Sequence, residues 1–309
     1  MSTAPAQGQH RPTKAIQRLR QIKRTTLARR ITQLGFAGFI VFAAARHQLE
    51  STSGVASLDA LCPFGAVETL ITWVTTGTMI AKVHPSNLIL GLAVLVATLV
   101  VGNAFCGWIC PLGTVQDGLW AAARKLRLPQ WRPSARTDRV LRYGRFVVLA
   151  VVMGASYVTG RLWFADYDPY FTIFSLHWLF GWSDALIVGV VITAVVLAGS
   201  LFVERLWCRY LCPLGAVFAV LGRFSLFKIR RDAATCTDCT LCDRPCPAGI
   251  TVSKADPAVN SDCIGCLDCL TTCPVKGALT LSAPMPVDRL LSSRSRAEHK
   301  DVVLSGKER

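Results

Sequence analysis

The stretch CTDCTLCDRPCP at residues 236–247 has the same cysteine spacing as CIGCLDCLTTCP at residues 263–274. Each run reads Cys-x2-Cys-x2-Cys-x3-Cys-Pro, and together they hold eight of the thirteen cysteines. Three thiolates two residues apart can surround one [4Fe-4S] cubane in a tight loop, while the fourth reaches across to a second. Zinc sites more typically show two C-x2-C pairs separated by a spacer, so zinc and disulfides are the weaker readings. The runs therefore predict two iron–sulfur clusters.

The order of ligands follows from the same spacing, because the last cysteine of each run binds the cluster of the other run. The proline after it fixes the turn that redirects the chain. We assign to cluster 1 Cys236, Cys239, Cys242 and Cys273, and to cluster 2 Cys263, Cys266, Cys269 and Cys246.

The composition of the chain predicts a membrane protein. Hydrophobic residues make up 52% and charged residues only 17%, which a water-soluble electron carrier does not need. Four apolar stretches approach the ~20 residues that cross a bilayer, namely residues 31–49, 88–105, 146–164 and 185–202. The first is the weakest, since Ala43-Ala44-Ala45 imitates a signal-peptidase site. We predict that it is retained, because removing it would break the repeat described next.

A nine-residue repeat follows the second and fourth stretches, FCGWICPLG at residues 105–113 and WCRYLCPLG at residues 207–215. This duplication predicts two helical hairpins of like orientation, related by an axis along the membrane normal. Each proline is expected to begin a new amphipathic helix, at residues 111–126 and 213–224. Four thiols are expected to converge as a further iron–sulfur or metal site or as a dithiol relay, with plain buried thiols as the alternative: Cys106, Cys110, Cys208 and Cys212.

The distribution of basic residues predicts the orientation. Eight lysines and arginines lie within residues 11–30 and eight more within residues 124–145, whereas the opposite loops hold Arg46, Lys82 and Arg161. The positive-inside rule places both termini and the cluster domain in the cytoplasm of a bacterial inner membrane that the chain crosses several times. The net charge of +15 then reflects contact with anionic lipid rather than with nucleic acid.

The predicted fold is a mainly α membrane protein. Residues 1–30 form a basic cytoplasmic arm, and residues 31–225 form a four-transmembrane-helix bundle of two duplicated hairpins. Residues 226–283 form a small α+β ferredoxin-like domain with two [4Fe-4S] clusters. Residues 284–309, with mixed charge and two prolines, are predicted to be a disordered tail.

Cys62 is predicted to face the outer side of the membrane, in the sequence CPFGAV that resembles CPLGAV after Leu211. Contact with a partner, intermolecular thiol chemistry, a metal site with His47 or His84, and a plain buried thiol all remain open for it.

A quinone site would need a proton acceptor beside an apolar cleft. Candidates are Glu68, His84, Asp166, Asp168 and His177 on the outer side, and Asp117 and Glu204 on the inner side, where Glu204 is expected to pair with Arg205.

Over residues 28–283, the Cys-Pro repeats followed by two cluster runs resemble the membrane ferredoxins of the NapH and MauN type and the membrane core of NosR. The resemblance implies electron transfer between the quinone pool and another redox protein, by a quinol dehydrogenase without haem. We expect neither the flavin-bearing periplasmic region of NosR-like proteins nor the further span and immunoglobulin-like domain of copper-oxidase assembly factors of the CcoG type.

Three function classes remain open at this point. Electron transfer between quinone and a redox partner accounts for clusters joined to a membrane bundle. Assembly or reduction of a metal centre would use the soft thiolates for copper. A membrane redox sensor would carry the same clusters without passing a sustained current.

Overall fold

The computed structural model describes residues 14–49, 62–76, 85–160, 163–175, 183–255, 258–259 and 261–282. The predicted tail at residues 284–309, the first part of the basic arm, His84 and His177 lie outside the described residues.

Among the residues that the structure describes, the helices of the first half of the membrane domain are α1 (Lys14–Leu49), α2 (Pro63–Thr76), α3 (Pro85–Val101), α4 (Ala104–Trp108), α5 (Pro111–Lys125) and α6 (Ala135–Leu141). The second half adds α7 (Gly144–Thr159), α8 (Pro169–Phe174), α9 (Asp184–Phe202), α10 (Leu206–Tyr210) and α11 (Pro213–Leu221). Helix α1 begins within the predicted basic arm, so from Lys14 onward that arm continues directly into the first apolar helix.

Three segments among the described residues are long and apolar enough to cross a membrane: Arg24–His47, Ala135–Thr159 and Asp184–Phe202. Their outward faces carry exposed apolar side chains, including Phe39, Val151 and Val195, as contact with lipid requires. The chain is therefore a membrane protein built mainly of helices.

The boundaries of two predicted spans were wrong. Helix α3 ends at Val101 rather than at residue 105, because Gly102 adopts a left-handed φ of 68° and turns the chain before α4. Helix α7 ends at Thr159 with Gly160 at φ 64°, so the predicted span at residues 146–164 is also too long.

The two halves pack in the same way. Helix α1 packs on α5 as α7 packs on α11, and α2 packs on α3 as α8 packs on α9. Each half also packs on the other, since α5 contacts α9 and α11 contacts α3. The nine-residue repeat thus marks a repeated helical arrangement.

Prolines 111 and 213 begin α5 and α11 as predicted, but α11 is not an amphipathic surface helix. Its side chains include Ala216 and Phe218, both 0% exposed, because it lies between α3 and α7.

The cluster domain consists of short elements around a compact apolar core. Strands β1 (Lys228–Arg231) and β2 (Leu279–Ser282) pair antiparallel, with Ile229 opposite Leu281. The helix α12 (Asp268–Thr272) lies within the second cysteine run.

Ion pairs hold the cluster domain against the membrane helices. Arg29 on α1 contacts Asp268 at 2.7 Å. The carboxylate of Asp262 pairs with the guanidinium groups of Arg142 at 3.0 Å and Arg145 at 2.5 Å. These half-buried pairs fix the face on which the second cysteine run meets the bundle.

Candidate metal and thiol centres

The structure brings together the four cysteines assigned to cluster 1. Cys236, Cys239, Cys242 and Cys273 line one small apolar cavity. Three of these come from the first run and one from the second, which is the crossed grouping that the spacing predicts. Cys239 is exposed, so this site lies at the surface of the domain.

The cysteines assigned to cluster 2 lie deeper. Cys246 is close enough to Cys263, Cys266 and Cys269 to interact electrostatically with all three. Burial raises the pKa of the Cys263 thiol to about 11 and that of Cys266 to about 12. Binding of iron by these thiols as thiolates therefore releases protons, and the positive iron offsets the cost of the buried charge.

Within the described residues, no group of three or more His, Cys, Asp or Glu side chains is arranged to hold a metal ion. The two cysteine runs are included in this statement, and their spacing suits a four-iron cluster rather than one ion. In a cubane held by four thiolates the ligands surround a cluster rather than meeting at one atom, and the two sets of four cysteines fit this arrangement.

The four Cys-Pro thiols lie near one another, although not on continuous helices. Cys106 interacts with Cys110 and Cys208, and Cys212 interacts with Cys106 and Cys208. Helix α4 ends at Trp108, and Cys110 adopts the extended conformation of an N-cap before Pro111. The two thiols of a motif are therefore brought together by a turn and not by one helical face.

A glycine in each repeat permits this turn. A Cβ atom on Gly113 would lie 3.1 Å from the carbonyl oxygen of Cys106, and one on Gly215 would lie 3.1 Å from that of Cys208. Both contacts are tighter than ordinary packing, so the small residue keeps the new helix close to the first cysteine.

A buried ion pair supports the first motif. Arg205 donates from Nε and Nη2 to the two carboxylate oxygens of Asp117 at 2.6 and 2.7 Å, and from Nη1 to the carbonyl oxygen of Cys106 at 2.9 Å. Gln33 donates to the carbonyl oxygen of Gly107 at 3.0 Å. Carbonyl groups left free at the end of α4 are thus satisfied by side chains of other helices.

Gln116 supports the second motif in a similar way. Its Nε2 donates to the sulfur of Cys208 at 3.2 Å, and its Oε1 accepts the backbone N–H of Trp207 at 3.2 Å. Sequence reasoning did not single out Gln116. Its position one residue before Asp117 was the available signal, since a wholly apolar helix would not place two polar groups there.

The outer-face position of Cys62 stays a prediction, but Cys62 does not lie apart from the Cys-Pro thiols. Cys62 lines the same cavity as Cys110 and Cys212, together with Asp168. This cavity encloses about 840 Å³ including its open mouth. Most of its walls are apolar or aromatic, with Phe36, Phe39, Leu90, Phe164, Trp207 and Leu214 among them.

The candidate proton acceptors have different surroundings. Glu68 is buried and accepts a hydrogen bond from Ser156. Asp117 rather than Glu204 pairs with Arg205, so the predicted Glu204 pair was wrong. Burial, together with the nearby Asp117, raises the pKa of Glu204 to about 7. Asp168 is the one of these described candidates that lies on the apolar cavity.

Cys106 joins the membrane thiols to the cluster domain. It packs against the apolar core of the bundle and also against the core that contains Cys266 and Cys269. The indole of Trp108 donates to the carbonyl oxygen of Gly265 at 2.9 Å. Cys106 is therefore the Cys-Pro cysteine that packs directly against the core of the cluster domain.

Family models match three parts of this chain. One described as a 4Fe-4S binding domain matches residues 83–129 and 185–232, which contain the two Cys-Pro repeats. One described as a 4Fe-4S dicluster domain matches residues 228–274 and includes both cysteine runs. The ferredoxin-type protein NapH of Haemophilus influenzae is 31% identical over 66% of this chain and 71% of its own length. The chain belongs to the NapH/MauN-type family of 4Fe-4S ferredoxins.

Other relatives extend this family. MauN of Methylobacillus flagellatus, a methylamine utilization ferredoxin-type protein, is 28% identical over 73% of this chain and 76% of its own length. YccM of Escherichia coli, named for electron transport, is 32% identical over 74% of this chain. The chain spans 64% of the length of YccM and 26% of that of NirI. No solved structure matches it significantly.

As a member of this NapH/MauN-type family, the chain is an iron–sulfur protein of the ferredoxin type. The described helices make it a membrane protein, and the two matched 4Fe-4S models cover the Cys-Pro repeats and both cysteine runs.

Proposed function

We propose that this protein passes electrons between the quinone pool and a second redox protein through two [4Fe-4S] clusters. The observation that carries the proposal is the position of Cys106, which contacts both the membrane core and the core of the cluster domain. Electron carriers need short, protein-filled separations, and this contact provides one.

The ligands are proposed as the spacing predicts them. Cys236, Cys239, Cys242 and Cys273 hold cluster 1, and Cys263, Cys266, Cys269 and Cys246 hold cluster 2. When bound, such clusters accept and release one electron at a time. The exposed Cys239 makes cluster 1 the exit toward a soluble partner, whereas the buried cluster 2 residues face the membrane helices.

A quinone is supported by the cavity beside the Cys-Pro thiols. Phe36 and Phe39 are exposed on α1 and also line this cavity, so the quinone is proposed at the mouth of the cavity, where α1 meets lipid, and not in its thiol-lined part. Apolar and aromatic walls suit the ring of a quinone that enters from lipid.

The quinone proposal is tested in anaerobic vesicles that contain the purified protein. A reduced short-chain quinone is added, and the clusters are followed by electron paramagnetic resonance. Appearance of reduced-cluster signals is expected for quinol oxidation, and loss of signal from dithionite-reduced clusters on adding quinone for the opposite flow. Dithionite alone shows that the clusters are present. Exchange in neither direction would contradict the quinone role and favour metal-centre assembly or sensing.

Four membrane crossings are proposed, with α3 as the fourth, and with both termini and the cluster domain in the cytoplasm of a bacterial inner membrane. The basic residues beside α1 and α7 support this orientation. At 17 residues, α3 reaches ~26 Å at the 1.5 Å rise of a helix, which suffices for a thin or locally adjusted bilayer.

Reporter fusions test this topology. A reporter fused after Arg309 is expected to be active only if it functions in the cytoplasm, and one inserted near Ser53 only if it functions outside. The same reporters exchanged between the two positions serve as controls. Activity in the opposite pattern would place the clusters outside and contradict the orientation.

A further inference from the structure

Cys62 and Asp168 occupy equivalent positions in the two halves of the membrane domain. Each directly precedes a proline that begins a helix, α2 at Pro63 and α8 at Pro169. The helices that follow pack on α3 and α9 in the same manner. The second cysteine of each Cys-Pro motif also precedes a proline that begins a helix. Four residues therefore share one position, directly before the proline that begins a helix: Cys62, Cys110, Asp168 and Cys212.

All four of these residues line one cavity: Cys62, Cys110, Asp168 and Cys212. Cys110 and Asp168 interact electrostatically, as do Cys212 and Asp168. The sulfurs of Cys110 and Cys212 interact with backbone N–H groups in the first turns of α5 and α11, and such donors stabilise a thiolate ligand. Asp168 likewise accepts the backbone N–H of Tyr170 at 3.1 Å. The remaining walls are almost entirely apolar.

Three soft sulfur ligands and one carboxylate from four helix starts form a set that fits an iron–sulfur cluster. As ligands, three thiolates and a carboxylate would carry negative charge in an apolar cavity, and that charge must be offset. No lysine, arginine or histidine is among the described residues that line the cavity. The N-termini of α2, α5 and α11 adjoin it, and their backbone dipoles offset part of such a charge. Arg205, which does not line the cavity, also interacts favourably with a thiolate at Cys110, and iron in a cluster would offset the remainder.

We propose that Cys62, Cys110, Cys212 and Asp168 bind a third [4Fe-4S] cluster inside the membrane domain. This ligand set differs from the four Cys-Pro thiols that the repeat suggests. It takes only the second cysteine of each motif and completes the site with the equivalent pair Cys62 and Asp168. Cys106 and Cys208 are left as neighbours, one packed against the cluster domain and the other held by Gln116.

This inference deepens the proposed function, on which it rests for its role in electron transfer, but the cluster itself is tested without turnover. Iron and acid-labile sulfide are measured on protein purified without oxygen. The wild type is expected to carry about twelve iron atoms per chain, and Cys62→Ser about eight, because one four-iron cluster is lost. Asp168→Cys is expected to keep about twelve while changing the resonance signal of one cluster, since a thiolate replaces the carboxylate.

Cys106→Ser is the matched control, because it alters a neighbouring thiol that is outside the proposed set, and it is expected to keep about twelve iron atoms. The resonance signals of clusters 1 and 2 in Cys62→Ser report whether the rest of the protein has folded. Wild-type protein with about eight iron atoms, or equal iron in wild type and Cys62→Ser, would overturn the third cluster. Loss of iron in Cys106→Ser but not in Cys62→Ser would assign the site to the four Cys-Pro thiols instead. Quinol reduction of clusters 1 and 2 is measured separately, so failure of this proposal and failure of the quinone role are distinguishable.

Discussion

Replacement of Arg205 by methionine is expected to lower the temperature of thermal unfolding in detergent by about 5–15 °C, which corresponds to a loss of about 3–5 kcal/mol. Arg205 is only 2% exposed, and its guanidinium forms two hydrogen bonds with Asp117. Its removal leaves the carbonyl group of Cys106 without this donor and the buried Asp117 carboxylate with the longer hydrogen bond from Gln33, at 3.4 Å. The penalty arises mainly from the charge that remains, not from the loss of the pair's own attraction.

The double variant Arg205→Met/Asp117→Leu separates these contributions. If the uncompensated carboxylate causes the loss, the double variant is expected to recover most of the unfolding temperature, because both charges are then absent. Arg124→Gln is the control, since it removes a charge from an exposed position on the same helix as Asp117. A single variant as stable as the wild type would show that the ion pair does not support the Cys-Pro turn.

Replacement of Gly107 by valine is expected to slow electron exchange between the membrane domain and cluster 2 by at least about tenfold. The reason is that the cluster 2 loop would move about 1–2 Å away from α4, which lengthens the distance that the electron must cross. A Cβ atom at residue 107 would overlap the backbone carbonyl oxygen of Ile264, which cannot rotate away as a side-chain tip could. The loop that carries Cys263 and Cys266 must therefore move away from α4, which also strains the Trp108 hydrogen bond.

The measurement is the rate at which clusters 1 and 2 become reduced after quinol is mixed with anaerobic vesicles. Gly118→Val is the matched control, because it makes the same change within α5 where an added Cβ has no neighbour within 4 Å. Iron content is expected to be unchanged in both variants, since neither residue is a ligand. Equal rates in Gly107→Val and Gly118→Val would contradict the route through this contact.

Local sequence alone determined the cluster runs and the apolar helices. The spacing of Cys236, Cys239 and Cys242 requires only a short loop, and a run of apolar residues such as α9 needs no partner to favour a membrane. The helix starts after the two Cys-Pro motifs were equally predictable, because proline is favoured at the first position of a helix, where its missing N–H costs nothing. The grouping of Cys273 with the first run was also predictable, since it follows from the spacing within each run.

The tertiary structure decided which distant side chains meet. Glu204 is next to Arg205 in sequence, yet Arg205 adopts a left-handed φ of 53° and points its guanidinium to Asp117 on α5. Cys62 was indistinguishable from a lone outer thiol until the two halves were packed together. Its neighbours Cys110 and Cys212 come from two other helix starts, and no periodicity within one segment encodes a cavity formed by several. Ligand runs and apolar helices are short-range properties of the chain, whereas this cavity exists only because the packed halves bring several helix N-termini to one place.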